Sequence, residues 1–374
     1  MQPNTDLLHT IALLRVPNVG DVNAKTLIGH CGSAEAVFKS SKATLLKIPS
    51  IGEAIATAIM EFKNFSFAEA ELNFMAKHNI DAFIYYETEY PTRLKAFIDA
   101  PTILFRKGNW DANAQHRNVA IVGTRVPTDY GIAFTEKLCA DLKPYNVSIV
   151  SGLAYGIDVT AHRASIANNI PTAGVLAHGL DRIYPASNRS VAERMVMAEN
   201  GGALLTEFPT DTAPERENFP QRNRIVAALS DVVVVVETAR KGGSMITANI
   251  ANQYSRDVFA LPGKTTDANS VGCNLLIKTH RAALLESAAD IAYIMGWELN
   301  EKKNAKKAVQ ARLFLENLPA EEAAIAHVLG IEPTMIDTLV QKTNIPLHRI
   351  ATLLLTMELN GIIRSLPGSR YSLS

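Results

Sequence analysis

Apolar residues follow three patterns along the chain, and each predicts a different kind of domain. In the first, Leu7, Ile11 and Leu14 recur at helical spacing behind a cap supplied by Thr5 or Asp6, and a repeat offset by 32 residues follows. In the second, from about residue 115 to 263, short apolar runs alternate with amphipathic stretches of helical length. The runs are Val119-Ala120-Ile121-Val122, Val147-Ser148-Ile149-Val150, Ala173-Gly174-Val175-Leu176, Ala203-Leu204-Leu205-Thr206, Val232 to Val236 and Val258-Phe259-Ala260-Leu261. Runs that are apolar throughout are buried on both faces, and runs joined by helices predict a parallel, doubly wound α/β sheet with right-handed crossovers. In the third pattern, residues 320–330 and 333–342 predict short helices, and Pro346 opens a helix that runs through Leu359 and stops at Gly361. Ile362-Ile363-Arg364 and Tyr371-Ser372-Leu373, around Pro367-Gly368-Ser369, predict a two-stranded wing, so this end reads as a winged-helix module.

The expected division is a small all-α domain at 1–78, the sheet domain at 79–298, a basic linker at 299–312 and the winged helix at 313–374. The linker rests on Lys302, Lys303, Lys306, Lys307 and Arg312, a stretch without an acid.

Composition narrows the function classes. A hydrophobic fraction of 47% and a charged fraction of 20% exclude disorder as the main state. Thirty-seven Lys and Arg balance 37 Asp and Glu, so an anionic partner must be held by a local cluster and not by the field of the whole molecule. Cys31, Cys139 and Cys273 are scattered, with no CxxC pair, which argues against a disulfide framework or a zinc site. Charges interrupt every apolar stretch before the roughly 18 residues that a membrane span needs, and the first residues lack a basic leader. A cytoplasmic protein with no membrane partner is expected.

The repeat has chemistry of its own. Val16-Pro17-Asn18-Val19-Gly20 recurs as Ile48-Pro49-Ser50-Ile51-Gly52, and Ala24 and Leu27 recur as Ala56 and Ile59, as in helix-hairpin-helix units. Such turns present N–H groups to a DNA phosphate. Asn18 and Ser50 stand where the usual pattern has its first glycine, and Asp21 and Glu53 lie beside the turns, which favours plain packing over DNA contact.

Strands of a parallel sheet leave at one edge, so residues that follow different strands converge there. Gly123-Thr124-Arg125 follows the first run, Ser151-Gly152 the second, with Gly156-Ile157-Asp158 entering the next helix, and Lys241-Gly242-Gly243-Ser244 lies beyond the fifth. Glycines admit close approach of a ligand, and N–H groups at helix starts near Ser151-Gly152 and Gly243-Ser244 present partial positive charge. Arg125 adds a fork of hydrogen bonds and Lys241 a mobile point charge. In Phe219-Pro220-Gln221-Arg222-Asn223-Arg224, the two arginines point about 200° apart on a helix, so they cannot grip one phosphate together, and one is available to hold the loops. Singly, each element could close a turn or pair with Glu207, Glu217 or Glu237. Their joint placement after separate strands favours a phosphate-binding rim.

Nucleotide cofactors find no motif. GxGxxG is missing after the first run, and Gly263-Lys264-Thr265 has Val258 where a P-loop needs glycine. Asp158 and His162, at i, i+4, read as a helix-start hydrogen-bond pair and not as a catalytic dyad, and the nine histidines form no metal set. No cofactor, metal or catalytic residue is expected.

The string from Val119 to Arg125, Ser151-Gly152-Leu153-Ala154-Tyr155-Gly156-Ile157-Asp158, Phe219 to Arg224 and Lys241 to Ser244 resembles the DNA-processing protein A family, DprA or Smf. Further matching pieces include Tyr90-Pro91, Gly179-Leu180-Asp181, Tyr184-Pro185, Thr206-Glu207-Phe208-Pro209 and Gly272-Cys273-Asn274-Leu275-Leu276-Ile277. The resemblance implies a Rossmann-like, mostly parallel sheet in a protein that binds single-stranded DNA. Such a protein protects incoming strands in natural transformation and loads the RecA recombinase, with no turnover. It also implies a homodimer formed through the Rossmann-like domain. Carried over residue by residue, the DNA contacts are Gly123, Thr124, Arg125, Ser151, Gly152, Arg222, Asn223, Arg224, Lys241, Gly242, Gly243 and Ser244. The family motif usually has a non-glycine between lysine and glycine, so Gly242 is a departure.

Two other functions remain open on the residues alone. One is a nucleotide or nucleoside-phosphate hydrolase that uses the same phosphate edge. The other is a duplex-DNA regulator acting through the winged helix, although its third helix offers only His348 and Arg349 in its first turn, against Glu358.

Overall fold

The computed structural model describes residues 5–114, 117–299, 318–329, 334–360, 362–366 and 370–373. The chain forms two compact units, Met1–Trp297 and Glu298–Ser374.

The first unit opens with helices α1 (Thr5–Leu13), α2 (Asp21–Cys31), α3 (Ala34–Lys39), α4 (Lys42–Leu45), α5 (Glu53–Glu61) and α6 (Ser66–His78). Both copies of the repeat make the same hairpin, α1 into α2 and α4 into α5. Asn18 and Ser50 take φ of 65° and 67°, the left-handed region that glycine occupies most easily. Gly20 and Gly52 stand extended just before α2 and α5, with no side-chain cap. Val16, Val19, Ile48 and Ile51 turn inward and join Leu13, Leu27, Leu45 and Ile59 in one apolar cluster, which holds the two hairpins together.

The six apolar runs are parallel strands: β3 (Arg117–Gly123), β4 (Val147–Ser151), β5 (Thr172–Val175), β6 (Gly202–Thr206), β7 (Val232–Val236) and β8 (Asp257–Ala260). The sheet is larger than the pattern predicts. β1 (Ile80–Ile84) and β2 (Ile103–Gly108), joined through the short helix α7 (Thr92–Lys95), add an antiparallel ribbon beside β6, and β9 (Ala283–Leu284) adds a short parallel edge. Among the described residues the order is β1-β2-β6-β5-β4-β3-β7-β8-β9. The chain steps outward from β3 to β6 and then returns to β7 on the other side of β3. The crevice between the loops after β3 and β7 is therefore the topological switch point, where open sheets of this kind receive ligands.

Burial on both faces explains why the runs are uniformly apolar. Val119, Ile121, Val232 and Val234 enter one core with α8 (Asp129–Leu142) and α9 (Ile157–Ala167). Ala120, Val122, Val233 and Val235 enter the other with α11 (Asn218–Leu229) and α12 (Gly243–Gln253), which follow α10 (Arg189–Val196) in the chain. A third core, with Leu7, Ile11, Ala68 and Met75 against Ile103 and Phe105, seats α1 and α6 on the antiparallel end.

The second unit holds α15 (Ala320–Val328), β10 (Thr334–Met335), α16 (Ile336–Thr343), α17 (Leu347–Leu359), β11 (Ile363–Leu366) and β12 (Arg370–Leu373), after α13 (Val271–Lys278) and α14 (Ala288–Ile294) of the first. It is a winged helix around Ile325, Leu339, Ile350 and Met357. The second helix begins later than its pattern suggests, because Thr334 and Met335 pair with Tyr371 and Arg370 as a third strand. Arg349, one of two basic residues in the first turn of α17, binds Glu321 through Nε and Nη2 at 3.0 and 2.8 Å. Gly361, the turn 367–369 and all of the expected linker except Leu299 lie outside the described residues. No helix among the described residues is long and apolar enough to cross a membrane.

The hairpin geometry yields a stability prediction. Ser50→Gly relieves a left-handed backbone that serine adopts poorly, partly offset by the extra freedom of the unfolded chain, so a net gain of about 0.5 kcal/mol is expected in chemical denaturation. A loss of stability would show that the turn is not strained.

Candidate nucleic-acid interface

The loops after β3, β4, β6 and β7 surround a cleft of about 700 Å3 at the switch point. Its floor depends on Arg222, which is 5% exposed. The Arg222 Nη1 donates to the carbonyls of Gly152, after β4, and Val175, at the end of β5, while Nε donates to Asn223 Oδ1 at 3.1 Å. Gly152 has no Cβ because the guanidinium occupies that space. The Gly152 N–H donates to Asp158 Oδ2 at 3.1 Å, so one arginine and one carboxylate hold the loop from both sides. Burial pushes the Asp158 carboxyl above its ordinary range, with Arg222 pulling it back. Burial also brings the Arg222 guanidinium down to about 10, with Asp158 opposing, which leaves it charged at neutral pH.

Above this floor, α12 begins at Gly243, preceded by an extended Gly242 that provides no side-chain cap. Ser244 lies in its first turn, buried and lining the cleft, and its Oγ has no hydrogen-bond partner among the described residues. A helix start with free N–H groups and an orphaned hydroxyl suits an anion. Gly123, Thr124 and Asn223 line the same cleft, as do the exposed Arg125 and Arg216. Among the charged lining groups, three arginines face one carboxylate, and that carboxylate is the buried Asp158.

A narrow aromatic slot of about 10 Å3, room for one water, lies beside the cleft. Arg125 and Phe219 line both, with the Arg125 guanidinium 5.4 Å from the centre of the Phe219 ring. Tyr155 and Tyr184 complete the slot, and the Tyr184 and Phe219 rings are 6.2 Å apart. His178 positions Tyr184: its Nε2 accepts from the Tyr184 N–H at 3.2 Å, and its Nδ1 bonds the Gly179 carbonyl at 2.8 Å. Burial lowers its pKa, so the neutral imidazole that these bonds need is the stable form.

The structure brings Gly123, Thr124, Arg125, Asn223, Gly242, Gly243 and Ser244 into one cleft, and Lys241 stands exposed in the turn that opens α12. Other expected residues face elsewhere. Ser151 is fully buried, its hydroxyl donating to the Ile121 carbonyl at 2.6 Å. No helix starts at Ser151-Gly152, because α9 begins only at Ile157, after Gly156 with φ of 75°. Arg222 is committed to loop carbonyls, and Arg224 binds Glu207, Asp21 and the Asp99 carbonyl on the far side of α11. Glu237 pairs with neither Arg125 nor Lys241; it accepts from the Thr128 N–H at 2.9 Å. Asp158 and His162 do not bond each other, since His162 Nδ1 is 2.8 Å from Thr172 Oγ1.

Sequence reasoning leaves out Arg216, which lines the cleft, and Tyr184, which lines the slot beside it. The signal for Arg216 was available: it lies in the loop after β6, at the same edge as the other three loops.

Comparison with known proteins gives a consistent picture. Residues 81–296 match the family model for DNA recombination-mediator protein A, residues 310–369 that for the DprA winged helix domain, and residues 10–69 that for the helix-hairpin-helix motif. Protein Smf of Synechocystis is 32% identical over 98% of this chain and 99% of its own. The DNA processing protein DprA of Bacillus subtilis is 41% identical over 54% of this chain and 67% of its own. The crystal structure of DNA processing protein A from Streptococcus pneumoniae superposes with a TM-score of 0.65 at 30% identity, covering 78% of this chain and 99% of that one. A structure of the Helicobacter pylori protein, which concerns its single-stranded DNA binding mode, gives 0.52 at 30% identity over 59% and 97%.

The geometry separates two kinds of arginine. Arg222→Ala leaves Asp158 buried and two loops unpinned, so it is expected to cost about 3 kcal/mol of folding stability. Arg125→Ala, at an exposed position, should leave the unfolding midpoint within experimental error. Equal stability of both variants in denaturant titrations would contradict the role given to Arg222.

Proposed function

The chain belongs to the DNA recombination-mediator protein A family of DNA-processing proteins, and on that premise we propose that it binds single-stranded DNA in the switch-point cleft, without sequence preference and without turnover. The observation that carries this reading is the orphaned Ser244 hydroxyl at an uncapped helix start, inside a cleft that also holds Arg125 and Arg216. N–H groups and arginines grip phosphates and read no bases, so affinity without sequence preference follows. The exposed rings of Tyr155 and Tyr184 beside the cleft are suited to stacking bases of any identity.

In this reading Gly123, Thr124, Arg125, Arg216, Asn223 and Lys241 to Ser244 meet the strand. Ser151, Gly152 and Arg222 hold the shape of the cleft, and Arg224 stands outside it. The strand-binding domain is taken as residues 79–298. Binding without chemistry is supported by the commitments of Asp158 to a backbone N–H and of His162 to Thr172, which leave neither poised beside a nucleophile. Family membership supports the wider role: a cytoplasmic homodimer, joined through the sheet domain, that protects incoming strands in natural transformation and loads RecA recombinase onto them.

Fluorescence anisotropy with labelled oligonucleotides tests the proposal. Single strands should bind far more tightly than duplex or mononucleotide, with affinity falling steeply as salt rises. Arg125→Ala, Arg216→Ala and Lys241→Ala should each weaken binding and lower the salt slope by about 0.7 for each phosphate that is no longer neutralised. Unchanged affinity and slope in a folded Arg125→Ala/Lys241→Ala double variant would remove the cleft as the binding site. Release of free base or phosphate from mononucleotides would favour a hydrolase instead.

A further inference from the structure

The loop 207–217 separates two clefts. Pro214 and Arg216 line the one already described, while Glu207, Phe208, Pro209 and Thr212 line a second, about 290 Å3 in volume, on the side of the helical hairpins. The loop is held in place: the Thr210 N–H donates to Glu71 Oε2 of α6 at 3.0 Å.

This second cleft combines apolar walls with one unsatisfied acceptor. Phe67, Phe105 and Phe208 line it, and the Arg15 guanidinium lies 3.6 Å from the centre of the Phe67 ring. The Glu207 side chain is 9% exposed. Its Oε2 accepts from Arg224 Nη2, whereas Oε1 is buried with no hydrogen-bond partner among the described residues. The neighbouring carboxylate is not in the same state, because Asp21 Oδ1 accepts from the Thr102 N–H at 2.6 Å and Oδ2 lies 3.4 Å from Arg224. A buried, unpaired carboxylate oxygen is costly; Oε1 has no open surface, so a ligand in the cleft donates to it, and recovers that cost, once the carboxylate turns toward the cleft.

We propose that this second cleft takes a nucleobase bearing an exocyclic amino group, recognised by the free oxygen of Glu207 between the phenylalanine walls. The volume suits a nucleoside. Aromatic walls accept the faces of a base, and an amino group of adenine or cytosine supplies the missing donor. Thymine has no amino group, and its one donor, N3–H, lies between two carbonyl oxygens that the carboxylate repels. Two acids and one arginine among the lining residues disfavour a polyphosphate, so the recognised part is the neutral base. The base comes either from a free nucleoside or from a strand lying across loop 207–217; the second source rests on the strand-binding reading above.

Ionisation of Glu207 gives the test its sharpest arm. Burial lifts its carboxyl to about 7, with Arg224 of α11 lowering it and Asp21 of α2 and Asp99 before β2 raising it. Tyr90 and Tyr254 also feel its charge, and Arg15 faces the same cleft. The ionised form accepts from an amino group, so preference for amino-bearing bases should be present above pH 7 and lost as pH falls through it.

Two arms distinguish the sources. Deoxyadenosine, deoxycytidine and thymidine are titrated into the full chain by calorimetry at pH 8 and pH 6. Adenine, cytosine and thymine homopolymers are titrated into the unaltered chain at the same two pH values. At pH 8 the amino-bearing bases should bind about tenfold more tightly than thymine, the worth of one charge-assisted hydrogen bond. Glu207→Gln, whose amide both donates and accepts, should remove the preference and its pH dependence, and Phe208→Ala should weaken all binding in this cleft. Preference among nucleosides identifies a free ligand; preference among homopolymers alone identifies a base of the bound strand. Absence of any Glu207-dependent preference in both arms, with folded variants, overturns the proposal. Homopolymers that still bind with the salt dependence conferred by Arg125 would then leave the strand-binding reading standing, and loss of that dependence would remove it separately.

Discussion

A charged guanidinium cannot sit in a protein interior without partners, and that constraint at Arg222 organises the strand-end loops. Among the described residues its donors bond main-chain carbonyls after β4 and at the end of β5, and Asn223, and the carboxylate of Asp158 favours its charged form. Satisfying one buried charge therefore fixes the chain after β4 and at the end of β5, on the floor of the cleft. The groups that would meet a phosphate are arranged differently. Arg125, Arg216 and Lys241 are exposed, and Ser244 keeps an unpaired hydroxyl.

α11 carries this division of labour along its length. Arg222 turns into the sheet loops, whereas Arg224, two residues later, turns toward Glu207, Asp21 and the Asp99 carbonyl. One helix thus braces the cleft on one side and ties the N-terminal hairpins to the sheet on the other. Asp21 is the first residue of α2, so the first hairpin turn faces the rest of the chain through its own carboxylate.

Much of this was legible in the sequence, for reasons that also explain what was not. Val232 to Val236 announces a strand buried on both faces because no alternation survives such burial. β1, half exposed, and β9, two residues long, leave weaker patterns, and β2 pairs antiparallel with only the short helix α7 to frame it. The convergence of the loops follows from parallel topology, which is why Gly123, Arg125 and Ser244 could be named together. Whether a polar side chain in such a loop faces the cleft or the core depends on burial, and no spacing reports that. Ser151 and Arg222 read like ligand contacts, yet both turn inward. The opposed directions of Arg222 and Arg224 could be derived from helix geometry, but the partners of each could not, since Glu207, Asp21 and Gly152 are distant in sequence.

The central claim is that distant loops form one surface for a DNA strand. Photo-crosslinking a single-stranded oligonucleotide to the full chain, with the attached peptides mapped by mass spectrometry, measures this directly. Crosslinks should fall together on residues 123–125, 214–219 and 241–244. Crosslinks confined to the N-terminal hairpins or the winged helix, with none at these loops, would contradict it.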